Sequence, residues 1–287
     1  MNLCNPSVVR ALMEEQGISF RKEFGQNFLI DFTVPERIAD SCADREDMLI
    51  LEIGPGIGCL TKELALRYER VVAIEIDRGL IPVLAKTMTE FDNVRVVNGD
   101  VMEIDLPALI AEEAQGREVA VCANLPYYIT TPILMRLLEC GVRFSSITVM
   151  VQKEVADRLS AAPGKGDYGA ITAVLGYHGT VKKLFTVPAG CFMPAPKVAS
   201  AVVRMDLFRE NPHHPKDEKF FFSVIRAAFG MRRKTLCNAL GALGGFTKEE
   251  IQDVIAALGY APTVRGETLS TADFVRLSDA LFDKKNS

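Results

Sequence analysis

The segment Glu52-Ile53-Gly54-Pro55-Gly56-Ile57-Gly58 constrains the fold more than any other part of this 287-residue chain. It follows the apolar run 48–51, which reads as a buried strand. Glycines at 54, 56 and 58 let the chain turn tightly and press its backbone against a ligand. A helix then opens near Cys59 and carries Leu60, Leu64 and Leu66. Glu75 stands 21 positions after Gly54, at the end of a second apolar run, 71–74. An acid at that distance suits the hydroxyls of a ribose.

The pattern continues. Apolar strands are predicted near 48–53, 71–76, 94–98, 119–123 and 146–151, alternating with helical stretches. That alternation predicts a doubly wound, mostly parallel sheet. Two more β-rich runs, 181–187 and 198–205, have no helix between them and are expected to pair antiparallel at one edge, making seven strands. A short helix is predicted over 6–16. Asn211-Pro212-His213-His214-Pro215 reads as a linker. Apolar-periodic stretches at 220–229, 235–243, 249–258 and 272–282 then predict a small all-helical domain. The expected division is therefore an α/β domain over 1–207 and a helical domain over 216–287.

Strand ends carry the chemistry, because open α/β sheets bind ligands at the carboxyl ends of their strands. A dinucleotide site wants a third glycine at position 59, where Cys59 stands, and helix amides free for a pyrophosphate. The alternate glycine spacing with Pro55 inside favours S-adenosylmethionine, which has a ribose and a cationic sulfonium but no phosphate. After the strand 94–97 and the turn Asn98-Gly99, Asp100 can either accept from the amino group of the cofactor's adenine or cap the following helix. After the run 119–122 comes Asn124-Leu125-Pro126-Tyr127. Pro126 holds Leu125 extended. The Asn124 side-chain oxygen and the Leu125 carbonyl could then accept both hydrogens of an exocyclic amine, with Tyr127 as a face for an unstacked base. A strand-end turn with an aromatic lid is the plainer alternative for that tetrad alone.

Taken together, these segments resemble the ribosomal RNA adenine N6-dimethyltransferase family, of the bacterial small-subunit (KsgA/RsmA) type. Gly25-Gln26-Asn27-Phe28-Leu29 is similar to the family's N-terminal cofactor motif. Phe192-Met193-Pro194-Ala195-Pro196-Lys197-Val198 is similar to its late motif, and 163–169 to its loop near the active site. The resemblance runs from about Phe24 to at least Lys234. It implies a Rossmann-like methyltransferase sheet that binds S-adenosyl-L-methionine through Gln26, Asn27, Leu29, Gly54, Gly56, Glu75, Ile76, Asp100, Val101 and Asn124. The implied catalytic group is Asn124, Leu125, Pro126 and Tyr127, with Phe192 as a second stacking surface. The implied reaction is dimethylation of two adjacent adenines near the 3′ end of 16S rRNA, on a small ribosomal subunit precursor. Large-subunit rRNA methyltransferases share most of the first half. An assembly factor that only binds RNA, a nucleotide-dependent oxidoreductase and a DNA adenine methyltransferase are the remaining alternatives.

Composition narrows the setting. The chain has no apolar run of membrane-spanning length, and its first ten residues lack a secretory pattern. Seven scattered cysteines without a Cys-x-x-Cys pair, and only three histidines, predict a reducing cytoplasm, no disulfides and no metal. A monomer is expected. The net charge of −4 hides an asymmetry: the span 187–240 carries +5 and the remainder −9. A basic stripe on an acidic body suits a selective RNA binder. Lys165, Lys197, Arg226, Arg232, Arg233 and Lys234 are its candidate RNA contacts, although Arg232-Arg233-Lys234 also reads as a solvated helix start.

Overall fold

The computed structural model of the protein describes residues 1–17, 27–231 and 233–286. In chain order the main elements are α1 (Pro6–Glu15), β1 (Phe28–Leu29), α2 (Thr33–Asp40), β2 (Leu49–Ile53), α3 (Cys59–Ala65), β3 (Arg70–Glu75), α4 (Ile81–Thr87), β4 (Val94–Asn98), α5 (Leu106–Ala114) and β5 (Val119–Asn124). They continue with α6 (Thr130–Glu139), β6 (Phe144–Gln152), α7 (Lys153–Leu159), α8 (Ala170–His178), β7 (Gly179–Val187), β8 (Phe192–Met193) and β9 (Ser200–Leu207). Four helices close the chain: α9 (Glu218–Gly230), α10 (Leu236–Leu240), α11 (Lys248–Ala257) and α12 (Thr271–Lys285). Strand limits lie within two residues of those predicted from hydrophobic runs.

Seven strands form one sheet in the order β4-β3-β2-β5-β6-β9-β7. The first five are parallel and β9 runs antiparallel to β6. In β2, Leu49 to Ile53 are all buried, Glu52 included. Alternate residues of neighbouring strands share a face. Ile50, Val71, Ala120 and Cys122 thus pack with Ile38 of α2 and Leu64 of α3 in one apolar layer. In register, Ile53 stands opposite Ile74 of β3 and Ala123 of β5. The carboxyl ends of β3, β2 and β5 therefore come level. A separate ribbon joins distant parts of the chain: β1 pairs antiparallel with β8, Leu29 opposite Phe192.

The chain divides into two compact units, Met1–Ala156 with Lys182–Leu207, and Asp157–Val181 with Phe208–Ser287. The sequence reading placed 157–181 with the sheet on chain continuity. Its apolar side chains pack instead with the helical tail. Tyr177 of α8 lies 5.1 Å from the ring of Phe221 and 5.3 Å from that of Phe222. Tyr168 meets Phe229 at 5.9 Å, and Thr271 donates its hydroxyl to the Ala173 carbonyl at 3.0 Å. Within this unit α11 and α12 are both opened by capping boxes, Thr247 with Glu250 and Ser270 with Asp273, which satisfy the first free amides of each helix.

Candidate active site

The glycine loop leaves the end of β2 with Gly54 and Gly56 at φ of 70° and 62°, a region closed to most side chains. The Gly56 amide donates to Glu75 Oε2 at 3.1 Å, and Asp77 donates its amide to Oε1 at 2.8 Å. Glu75 is thereby aimed by two backbone amides from two loops. An ionised carboxylate has about four acceptor positions, so it can still receive both hydroxyls of a ribose. A Cβ on Gly56 would come within 3.1 Å of the Phe28 ring, so the loop and β1 are in contact. Asn27 and Leu29 join Gly54, Gly56, Glu75 and Ile76 along one cleft.

Two expected cofactor residues stand differently. Asp100 accepts from the Met102 amide at 2.8 Å, and Val101 is buried. Neither lines the cleft, although the Gly99 amide donates to the Glu75 carbonyl at 3.0 Å and holds this strand end beside it. Asp100 thus closes a local turn and is not a helix cap: the following helix, α5, is capped by Asp105, whose side chain accepts from the Ala108 amide at 3.0 Å. Gln26 lies outside the described residues, as does Arg232.

The tetrad at the end of β5 forms the opposite wall. Asn124, Leu125, Pro126 and Tyr127 all line the cleft. Leu125 extends the ladder by one bond, its amide donating to Met150 O at 3.1 Å, while its side chain is buried. The Pro126 carbonyl accepts from the Ile129 amide at 3.2 Å and the Thr130 hydroxyl at 3.3 Å, which turns the chain into α6. Tyr127 is pinned by a 2.6 Å hydrogen bond between its hydroxyl and Ser200, and burial raises its phenol above the ordinary range. Among the described residues, neither the Asn124 side chain nor the Leu125 carbonyl has a hydrogen-bond partner. Asn124 and Leu125, each with a free acceptor, therefore line the cleft beside a fixed aromatic ring.

Phe192 departs from its expected role. It is 3 % exposed, packs in the apolar layer with Leu29, Met150 and Val202, and does not line the cleft. Pairing of β1 with β8 puts it opposite Leu29 of the cofactor motif. In the second unit, Lys165 is exposed, Arg226 is exposed with its guanidinium on the Ser223 hydroxyl at 3.2 Å, and Arg233 and Lys234 are exposed in the turn before α10. They are not a helix start: α10 begins at Leu236 with Thr235 as its cap.

Tyr128 and Glu52 are among the cleft residues that the sequence reading did not assign to the site. Tyr128 follows the tetrad and is 63 % exposed. Glu52, at the end of β2, is 1 % exposed, and its Oε2 is buried without a hydrogen-bond partner among the described residues. Burial, with the neighbouring Glu75 carboxylate, pushes Glu52 up to about 8. Burial likewise raises Glu75 to about 7, against the pull of its amide donors. The signal for Glu52 was an acid in the middle of an otherwise apolar strand. A buried carboxyl with one oxygen unpartnered, lining a cleft, fits a ligand with positive charge and N–H donors. S-adenosylmethionine has both, with hydroxyls for Glu75, so these residues fit it.

Both carboxyls bind protons in the folded state at a pH where the unfolded chain has released them. Stability of the ligand-free protein should therefore fall as pH rises from about 5 to 8. A cationic ligand favours the ionised forms, so its binding should release protons and tighten over pH 6 to 8, by up to about tenfold per pH unit for one proton. Titration calorimetry in buffers of different ionisation enthalpy measures this, and Glu52→Gln should flatten the profile. An identical profile in the variant would exclude Glu52 as the linked group. Glu75→Ala should weaken S-adenosylmethionine binding by about 1.5–3 kcal/mol, the usual loss for a hydrogen bond to a charged group. Unchanged affinity in a folded variant would remove Glu75 from the ribose site.

The ribosomal RNA adenine dimethylase family profile matches residues 17–281. The ribosomal RNA small subunit methyltransferase A of Streptococcus gordonii is 47 % identical over 286 residues, 98 % of each chain. The protein of that name from Geobacillus kaustophilus is 47 % identical over 284 residues, 98 % of this chain and 97 % of its own. Among solved structures, a dimethyladenosine transferase from Plasmodium falciparum superposes with a TM-score of 0.75 at 25 % identity, over 90 % of this chain and 98 % of its own. The 23S rRNA methyltransferase ErmE gives 0.71 at 26 %, over 89 % and 100 %. The chain belongs to the ribosomal RNA adenine dimethylase family and is a methyltransferase that uses S-adenosylmethionine.

Proposed function

We propose that the protein dimethylates N6 of two adjacent adenines near the 3′ end of 16S rRNA, acting as a cytoplasmic monomer on a small ribosomal subunit precursor. The observation that carries the adenine chemistry is the pair of free acceptors, Asn124 side chain and Leu125 carbonyl, beside the anchored Tyr127 ring. Identity of 47 % to small-subunit enzymes, against 26 % to a 23S rRNA methyltransferase, supports the small-subunit substrate. Residues 1–207 would carry catalysis and 216–287 would contact RNA. Among the described residues no helix is long and apolar enough to cross a membrane, and no cluster of His, Cys, Asp and Glu could hold a metal.

Adenine N6 is a poor nucleophile because its lone pair is delocalised into the ring. Hydrogen bonds from both N6 hydrogens to Asn124 and Leu125 would bias the nitrogen toward a localised lone pair and fix its direction. S-adenosylmethionine, when bound, supplies an electrophilic methyl group on its sulfonium. Asn27, Leu29, Gly54, Gly56, Glu52 and Glu75 would hold it, with Ile76 as an apolar wall. Positioning of this kind can contribute several kcal/mol, within the roughly 7–11 available to proximity. A strong base is unnecessary, since the alkylated nitrogen is acidic and releases its proton readily. Tyr127 would stack on the extruded base. Phe192 supports the wall behind Leu29 in this conformation, and a direct stack would require its ring to leave the core.

Asn124→Ala should remove most methyl transfer to unmethylated small ribosomal subunits while leaving subunit binding intact. Near-normal turnover would rule out the amine-receptor role. The basic turn gives a separate test. Replacing Arg233 and Lys234 with alanine should flatten the dependence of log affinity on log salt by about 1.5 units, at roughly 0.7–0.9 per phosphate lost. An unaltered slope would show that this turn is only a solvated surface.

A further inference from the structure

Tyr128 is a large aromatic side chain left 63 % exposed on the rim of the cleft it helps to line. Its neighbour Tyr127 is tied to Ser200 at 2.6 Å, so one ring of the pair is fixed inside and the other stands open outside. Ile76 of the cleft is 45 % exposed, and Val198, just before Ser200, is 48 % exposed. Lys197 beside it is exposed, and among the described residues no carboxylate pairs with it. Lys197 stands three positions before Ser200, which places its Cα within about 11 Å of the Ser200 Cα.

Extruding a base from a strand deprives its neighbours of a stacking partner and costs a few kcal/mol. An aromatic face outside the pocket can replace the lost partner, and any base will stack on it. A cation on the segment that leads into Ser200, the partner of Tyr127, can meet the phosphate between extruded and retained nucleotides. Tyr127 cannot serve both nucleotides, because its ring faces the cleft and its hydroxyl is held by Ser200.

We propose that Tyr128 and Lys197 form a subsite for the RNA nucleotide flanking the target adenosine, the ring taking its base and the ammonium its phosphate. This rests on the adenine-methylation reading above. The subsite lowers the cost of extrusion and so sets the affinity for the open form of the RNA. It needs the ring of Tyr128 and not its hydroxyl.

The test uses the full-length protein and small ribosomal subunits lacking the modification. Tyr128→Ala and Tyr128→Leu should each lower kcat/KM for the subunits by roughly 5- to 150-fold, the worth of one base stack. Tyr128→Phe should rescue turnover, because the ring survives. Lys197→Ala should reduce the salt slope of subunit binding by about 0.7–0.9, one phosphate contact. S-adenosylmethionine affinity, read by calorimetry, should be unchanged by all four variants. Leucine performing as well as phenylalanine would overturn the stacking role, as would alanine performing as well as wild type. A parallel loss of cofactor affinity in Tyr128→Ala would reassign the ring to the cofactor cleft. Failure of the broader reading looks different: wild-type protein would then leave the subunits unmethylated, and the subsite would fall with it.

Discussion

The parallel backbone ladder joining β3, β2 and β5 is the constraint on which the site depends. Each strand ends in residues with separate tasks: Glu75 after β3, the glycine loop after β2, and Asn124 with Leu125 at β5. Only the in-register pairing of Ile53 with Ile74 and Ala123 brings those ends level. A one-residue slip would turn every side chain of β5 to the other face and carry Asn124 away from the loop. Burial of all five residues of β2 between its two neighbours makes such a slip costly.

On that ladder the cleft acquires an unusual electrostatic character. Two carboxyls, Glu52 and Glu75, are almost fully buried within it, and both are pushed toward neutrality. In isolation this is an expensive arrangement. It becomes useful when the ligand brings positive charge and donors, because ionisation is then coupled to binding. Asn124 and Leu125, on the cleft's other wall, offer uncharged acceptors instead.

The basic residues divide by what they touch. Arg204 is held by Asp206 at 2.7 Å and Asp44 at 2.8 Å, and Lys216 by Asp283 at 2.6 Å. These two count in the sequence asymmetry but are spent on internal pairs. Arg233, Lys234 and Lys197 are exposed without such partners among the described residues, and a polyanion would meet these first.

The sequence by itself determined the parallel sheet and the place of the glycine loop, Glu75 and the Asn124 tetrad. Hydrophobic runs and strand-end residues are local signals, and the distance from Gly54 to Glu75 is a property of the chain. Tertiary structure decided what depends on packing between distant segments. Pairing of Leu29 with Phe192 across 163 positions buried the ring that the family resemblance assigned to the base. Aromatic contacts of Tyr168 and Tyr177 drew 157–181 into the helical unit. An acid within an apolar strand marked Glu52, but the isolation of its Oε2 and the exposure of Tyr128 were likewise settled by packing. Each depends on which atoms of other elements come near, and periodicity along one strand or turn does not specify that.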